Sequence, residues 1–223
     1  MNKYKRLITL PLFLIFIATN FYWFKRHDDL SMYKQMLIVC ASVAIFMAAA
    51  LIEVFYAKNN RIRIRLFKIF VTLLLLYYLG FLCAVLFLDG FFFTRSATHY
   101  VNLVPFKTIK EFFATMRDEN NLRAFGNLVG NAILFAPMGL LLPLWSKKFH
   151  NIFLFTFTIF VMVSGVEIFQ HYSNMGTADV DDIILNVAGA LMVFFVFKFI
   201  FFMVKDKIEM YFKDDDSNYQ IKL

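Results

Sequence analysis

The chain has 223 residues, of which 61% are hydrophobic and only 17% are charged, and its formal net charge is +7. A soluble domain carries about 25% charged residues, so this composition excludes an ordinary soluble protein. The apolar runs are about 20 residues long and do not alternate in polarity, which favours transmembrane helices over an outer-membrane barrel. Basic charge on such a chain is typical of cytoplasmic anchoring, so we expect no nucleic-acid partner.

Six apolar runs predict an all-α, polytopic bundle of about six transmembrane helices. Their approximate bounds are 7–24, 35–57, 66–88, 127–145, 151–172 and 180–204. The first run follows MNKYKR and ends at Lys25 and Arg26 without a small-residue cleavage site, so we expect a retained anchor and not a cleaved signal peptide. Cys40 and Cys83 lie inside apolar runs, and we expect them to be small core residues with no disulfide.

The distribution of Lys and Arg predicts the orientation of the bundle. If the N-terminus lies inside, fifteen of the 23 Lys and Arg residues fall on the cytoplasmic side and the others fall outside. The positive-inside rule therefore predicts that both termini, including the charged tail 205–223, are cytoplasmic.

Only one connection between the spans is long, residues 89–126, and we expect it on the outer side. Within it, Thr108 and Glu111 fit the N-cap and N3 positions of a capping box. The apolar positions that follow fall on one helical face and are Ile109, Phe112, Phe113 and Met116. This pattern predicts a short helix that lies either on the bilayer surface or packed against the bundle.

When the six spans alternate in direction, the informative polar residues gather on the outer side. They are Asn102 in the long connection, Asn127 and Asn131 in span four, Glu167 and Gln170 in span five, and Asp179, Asp182 and Asn186 in span six. The polar residues of span six form one helical stripe that also includes Gly189, whereas Asp181 points elsewhere.

A charge deep in a bilayer costs at least about 2.5–3.5 kcal/mol, so Glu167 and Asp182 should face the bundle interior or a wet cavity. Their expected partners are the long connection's basic residues or the amides of span four. Asp179 and Asp182 have a simpler interpretation as N-terminal caps of span six. That interpretation does not explain Glu167 and Gln170, which lie inside a helix.

Several chemistries remain open for these carboxylates. Mg²⁺ bound by Glu167, Asp179 and Asp182 would suit a phosphorylated lipid substrate. Buried carboxylates also serve as proton relays in proton-coupled transporters. A structural alternative treats the polar set as interhelical glue. The four histidines are scattered, so a zinc site is not expected.

Four motifs in order resemble the VanZ-like family of bacterial membrane proteins. They are NLVPF (102–106), GNLVGNAILFAPMGLLLP (126–143), SGVEIFQ (164–170) and GTADVDDIILNVAGA (176–190). The resemblance implies a family domain over 66–204, preceded by a two-span addition, 1–65, and followed by the tail 205–223. It also implies a multi-pass protein of the bacterial cytoplasmic membrane.

The resemblance assigns roles to individual residues. Its structural motif positions here are Pro105, Phe106, Gly130, Pro137, Gly139 and Gly189. Many family members have an Arg shortly before the acidic run, but this chain has none between Arg123 and the C-terminus. If that Arg pairs with the acids in other members, the charge balance here must come from His171, the long connection, a cation or protonation.

The family's founding member is linked to teicoplanin resistance, and the resemblance therefore implies an effect on glycopeptide susceptibility. We predict an acidic, amide-rich pocket at the outer leaflet that holds a lipid head group, a cell-wall precursor or a glycopeptide. Its hydrogen-bonding residues are Asn102, Asn127, Asn131, Gln170 and Asn186, and its charges are Glu167 and Asp182. The alternatives are a proton-coupled transporter and an enzyme acting on a lipid-linked phosphate, with catalytic candidates Glu167, Asp182 and Asp179.

Overall fold

The computed structural model describes residues 2–26, 29–30, 32–87, 101–115, 122–173 and 178–212. The described chain is almost entirely helical, as predicted. Its helices are α1 (Asn2–Arg26), α2 (Met32–Phe55), α3 (Asn60–Phe87), α4 (Lys107–Thr115), α5 (Leu122–Leu134), α6 (Met138–Trp145), α7 (Ile152–Tyr172) and α8 (Val180–Phe212). Two short strands, β1 (Val101–Asn102) and β2 (Ala178–Asp179), pair with each other.

Six segments of the described chain are long and apolar enough to cross a membrane, which confirms the predicted number of spans. They are Arg6–Arg26, Leu37–Phe55, Asn60–Phe87, Leu128–Trp145, Ile152–Tyr172 and Val180–Lys205. The fourth is built from α5 and α6, and each of the others lies within one helix.

Pro137 interrupts the fourth span between α5 and α6. Proline has no N–H, so the carbonyl oxygen of Ile133 loses the donor that a continuous helix would give it. The backbone N–H of Ala136 donates to that carbonyl instead, at 3.1 Å, and the helix resumes at Met138. Pro143, in contrast, lies inside α6.

Helix α8 is the centre of the part of the bundle that follows the first two spans. It packs against α5, α6 and α7, and α3 packs against α6. The buried apolar cluster between these helices includes Leu75, Leu82 and Leu86 of α3, Met138, Leu141 and Leu142 of α6, Phe155, Ile159 and Val163 of α7, and Ala190 and Phe194 of α8. Phe155 and Phe194 stack with their ring centroids 4.5 Å apart.

Two glycines allow the helices to approach α8 closely. A Cβ atom on Gly189 would lie 1.7 Å from the carbonyl oxygen of Ala132 in α5, and one on Gly139 would lie 2.3 Å from that of Ala190. Any side chain at either position would therefore force the helices apart. These contacts fix the position of α5 and α6 along α8.

The N-terminal hairpin of α1 and α2 packs mainly within itself, and α2 also contacts α3. Polar side chains connect the three helices: Tyr77 donates to the Asn20 side-chain oxygen at 2.8 Å, and the hydroxyls of Tyr77 and Ser42 lie 3.3 Å apart. The expectation that Cys40 and Cys83 are core residues was wrong, because both are exposed. Lipid is as apolar as a protein core, so an apolar sequence context does not distinguish the two environments.

Candidate functional site

The site lies where the connection between α3 and α5 meets the start of α8. Strands β1 and β2 pair in parallel over two residues, with Val101 opposite Ala178 and Asn102 opposite Asp179. This pairing holds the segment that precedes α4 against the segment that precedes α8. As a result, side chains far apart in the sequence meet at one end of the bundle.

Asp179 is 8% exposed and is surrounded by hydrogen-bond donors. Its Oδ1 accepts from the side-chain amide of Asn102 and from the backbone N–H of Asp181, both at 2.9 Å. Its Oδ2 accepts from the hydroxyl of Thr108 at 2.6 Å. Three donors therefore satisfy this carboxylate and tie the connection to α8.

Asp181 is fully buried and caps a helix other than its own. Its Oδ1 accepts from the backbone N–H of Phe106 at 2.5 Å and its Oδ2 accepts from that of Ile109 at 3.1 Å. Phe106 has a positive φ of 63°, which turns the chain into α4. Asp181 thus supplies the N-terminal acceptor that α4 needs. We call Asn102, Thr108, Asp179 and Asp181 the anchor.

The anchor corrects one expectation, the role of Thr108, and confirms another, the direction of Asp181. Helix α4 begins at Lys107, and the Thr108 hydroxyl donates to Asp179 and is not an N-cap acceptor. Asp181 does point away from the stripe of span six, but only because it faces α4. A helical stripe groups only residues on one face of one helix. It therefore did not include Asp181 in the site, because the partners of Asp181 lie more than 70 positions away in the sequence.

Glu167 and Asp182 have far fewer donors than the anchor acids. Glu167 is 7% exposed, and it accepts one long contact, 3.5 Å, from the backbone N–H of Asp179. Asp182 is partly buried, and its Oδ1 accepts from the side-chain amide of Asn131. Glu167 and Asp182 are near enough that their negative charges would repel each other. Within the described residues, neither acid forms a salt bridge with a basic side chain.

Asn186 lies one turn beyond Asp182 on α8. Its side-chain amide donates to the backbone carbonyl of Asp182 at 2.8 Å. Its Oδ1 atom is buried and accepts no hydrogen bond from any described residue, and the residue is 3% exposed. We call Asn131, Glu167, Asp182 and Asn186 the acceptor pocket, a name for this cluster of side chains and not for a cavity, because Glu167 and Asp182 accept one hydrogen bond each and the Asn186 Oδ1 accepts none.

The remaining predicted site residues lie elsewhere. The Gln170 side chain donates to the carbonyl of Leu86 at 3.3 Å and so joins α7 to α3. Among the predicted structural positions, Gly139 and Gly189 lie at close helix contacts, and Pro137 lies at the break between α5 and α6. Pro105 and Phe106 are exposed, and Gly130 is partly buried. The backbone of Asn127 lies in α5, but its side chain lies outside the described residues, as do Arg95, His99 and the side chain of Arg123.

Two residues of α7, one before and one after Glu167 in the sequence, carry polar atoms that the sequence analysis did not group with that acid. The hydroxyl of Ser164 and the Nδ1 atom of His171 are buried and have no hydrogen-bond partner among the described residues. Residues 164, 167 and 171 have the spacing of one helical face. No group of three or more His, Cys, Asp or Glu in the described chain is arranged to hold a metal ion.

The sequence matches one family model. The model described as VanZ/LLP1 matches residues 67–202, which contain all of the anchor and the acceptor pocket. No curated protein and no solved structure matches the chain.

Proposed function

We propose a function for this chain from one premise: it belongs to the VanZ/LLP1 family. It is a multi-pass protein of the bacterial cytoplasmic membrane, and its acceptor pocket binds a polar or cationic head group. The single observation that supports this role is the state of Glu167 and Asp182. These two neighbouring carboxylates have one donor each and no basic partner among the described residues.

The free energy of burying a charge supports this role. Burying a carboxylate without compensation costs several kcal/mol, so buried carboxylates are normally paired or saturated with donors. The anchor acids follow this rule, and Asp179 has three donors. Glu167 and Asp182 do not, and a ligand that brings positive charge or N–H donors would supply what they lack.

The charge distribution supports an outward-facing pocket. The positive-inside rule predicts that both termini are cytoplasmic, and the even number of spans in the described part of the chain is compatible with that orientation. The end of α7 and the start of α8 then lie at the outer leaflet. Here the pocket meets lipid head groups, cell-wall precursors and glycopeptide antibiotics.

The proposed cellular effect is a change in susceptibility to teicoplanin-type glycopeptides. The resemblance to the family's founding member motivates this choice. The pocket would act by binding or shielding a molecule at the membrane surface, and the proposal assigns no reaction to the protein.

The test compares two conservative variants, Glu167→Gln and Asp182→Asn, in a host that lacks family members. We expect expression of the wild-type chain to raise the teicoplanin concentration that inhibits growth, and each variant to lose most of that rise. Membrane abundance is matched by immunoblot. Both variants remove a negative charge but retain size and hydrogen-bonding capacity.

Glu53→Gln is the matched control. Glu53 accepts from the Thr9 hydroxyl at 2.8 Å near the end of α2, at the end of the bundle away from the acceptor pocket. This variant should behave as wild type. If Glu167→Gln and Asp182→Asn raise the inhibitory teicoplanin concentration as much as wild type does at matched abundance, the pocket has no part in this function.

A further inference from the structure

A groove lies between α7 and α8 in the half of the bundle away from the acceptor pocket. Its volume is about 540 Å³, and it is open on one side. It is lined by Ile152, Phe153, Thr156, Phe157 and Phe160 of α7 and by Val187 of α8. The α7 residues span about 12 Å along the helix axis, close to the roughly 15 Å of hydrocarbon in one leaflet. The groove therefore has the length of one leaflet.

The open side of the groove faces lipid. Its α7 residues all belong to the membrane-spanning segment Ile152–Tyr172. Phe153 is 83% exposed and Phe157 is 65% exposed, so these rings border the groove without closing it. An acyl chain can enter such a groove sideways from the bilayer.

Basic side chains gather at the end of the groove where α7 begins. Lys147 and Lys148 lie in the 3₁₀ turn that precedes α7, and both are exposed. His150, in the same turn, packs edge-on against Phe197 of α8 with the ring centroids 5.6 Å apart. Lys198 follows Phe197 directly, so α8 places a third lysine at this level. We call Lys147, Lys148 and Lys198 the basic cluster.

The surroundings of His150 show that lysines from two elements come together. Burial lowers the pKa of the His150 ring, and the positive charges of Lys198 and Lys147 lower it further. Both ammonium groups are therefore within electrostatic reach of one ring. Within the described residues, no lysine of the basic cluster forms a salt bridge with an acidic side chain.

Both walls of the groove lead to the basic cluster. On α8, Val187 and Lys198 are 11 positions apart, which is close to three helical turns, so they share a face and lie about 16 Å apart along the axis. On the α7 side, Ile152 comes four residues after Lys148. The apolar groove thus ends at a site of uncompensated positive charge.

We propose that the groove and the basic cluster bind one anionic phospholipid, with an acyl chain in the groove and the phosphate at the lysines. Lysines next to a membrane attract anionic lipid, and basic sites between transmembrane helices hold such head groups. In the predicted orientation the lipid belongs to the inner leaflet. The proposal goes beyond the proposed function and is independent of it, because it involves no residue of the acceptor pocket.

The charge of the basic cluster disfavours two other occupants. A second copy related by a two-fold axis along the membrane normal would bring the same lysines against their equivalents, and like charges repel. A zwitterionic phospholipid carries its own positive group beside the phosphate, so it gains less from the lysines. An anionic lipid satisfies both the groove and the charge.

The experiment measures lipid binding to the full-length protein by native mass spectrometry in a neutral detergent. The probes are palmitoyl-oleoyl-phosphatidylglycerol and palmitoyl-oleoyl-phosphatidylcholine, which have the same acyl chains and differ in head-group charge. We expect the phosphatidylglycerol to bind roughly tenfold more tightly, since each nearby lysine adds attraction to an anionic lipid. The same spectra report whether the protein is a monomer or a dimer.

The double variant Lys147→Gln/Lys148→Gln tests the basic cluster. It should lower the affinity for phosphatidylglycerol to that for phosphatidylcholine and leave the latter unchanged. The matched control is Lys58→Gln/Lys68→Gln, which removes the same charge from exposed positions at the same end of the bundle, outside the groove. This control should retain the tenfold preference. All four lysines are exposed, so neither double variant depends on a buried contact.

Thr156→Phe tests the groove by placing a ring in the middle of it. It should weaken binding of both lipids at least fivefold, whereas Thr156→Ser, which keeps the groove open, should bind as wild type does.

Three results would overturn the proposal. One is equal affinity for the two lipids, and another is an equal loss of affinity in the two lysine double variants, because net charge alone would then explain binding. The third is a dimer that excludes lipid and is broken by Thr156→Phe, because a second copy would then occupy the groove. Selective phosphatidylglycerol binding that is lost in Lys147→Gln/Lys148→Gln and retained in its control supports the proposal.

Discussion

The anchor and the acceptor pocket each contain two carboxylates, and the four acids lie at the same end of the bundle. In the anchor, Asp179 and Asp181 accept from five donors in total, three of them backbone N–H groups. In the pocket, Glu167 and Asp182 accept one each. The acids are of the same chemical type, so the difference lies in what the fold provides around them.

This comparison separates acids that hold the fold from acids that are available to a ligand. Backbone N–H donors cannot be removed without changing the path of the chain, so the anchor carboxylates are part of the architecture. The pocket carboxylates can be neutralised without breaking the connection between α4 and α8. Variants in the anchor should therefore lower the stability of the protein, whereas variants in the acceptor pocket should weaken ligand binding.

The largest expected effect is in the anchor, at Asp181. Asp181→Ala removes the acceptor of two backbone N–H groups, those of Phe106 and Ile109, and leaves both without their partner. We expect a loss of about 3 kcal/mol in unfolding free energy, since a hydrogen bond to a charged group contributes about 1.5–3 kcal/mol. Thermal unfolding in detergent and membrane abundance measure this loss. A variant as stable as wild type would contradict the structural role of the anchor.

The next effect concerns the helix contact that positions the pocket. Gly189→Ala places a Cβ atom 1.7 Å from the carbonyl oxygen of Ala132, so α5 must move away from α8 and carry Asn131 away from Asp182. We expect a loss of about 2 kcal/mol, typical of overpacking, and weaker ligand binding. The same measurements apply.

Gly165→Ala is the matched control for this variant. It makes the same substitution in a membrane-spanning helix, but nothing lies within 4 Å of the added Cβ atom. Alanine has a higher helix propensity than glycine, so this control should gain up to about 1 kcal/mol. If the two variants change stability and ligand binding equally, the α5–α8 contact does not determine the geometry of the acceptor pocket.

The sequence predicted the spans well because the length of an apolar run is a local property. It also identified Asp182 and Asn186 as one stripe, since helical spacing fixes which residues share a face. It did not predict which neighbouring helix each face contacts. Gln170 shows the consequence: its side chain bonds the carbonyl of Leu86 on α3 and does not join the acids.

The anchor was harder to predict because its contacts cross large distances in the chain. Thr108 and Asp179 are 71 positions apart, and no local pattern relates them. The capping-box pattern at Thr108 gave the right helix, but it assigned the cap to the wrong side chain. One sequence signal could have drawn attention to Asp181. Helix α4 has no acidic residue in its own first turn, so an acid from elsewhere in the chain is needed there.

The smallest expected effect on stability is in the pocket, and it is the most direct test of the comparison. Glu167→Gln removes a buried charge that has one long hydrogen bond, so it should leave the unfolding free energy unchanged or raise it by on the order of 1 kcal/mol. Thermal unfolding of the purified, ligand-free protein measures this against Asp181→Ala under the same conditions. A loss comparable to that of Asp181→Ala would mean that Glu167 also holds the fold, and the distinction between anchor and pocket would fail. Retained stability together with lost binding would mean that the charge of Glu167 serves the ligand, because no part of the architecture would then depend on it.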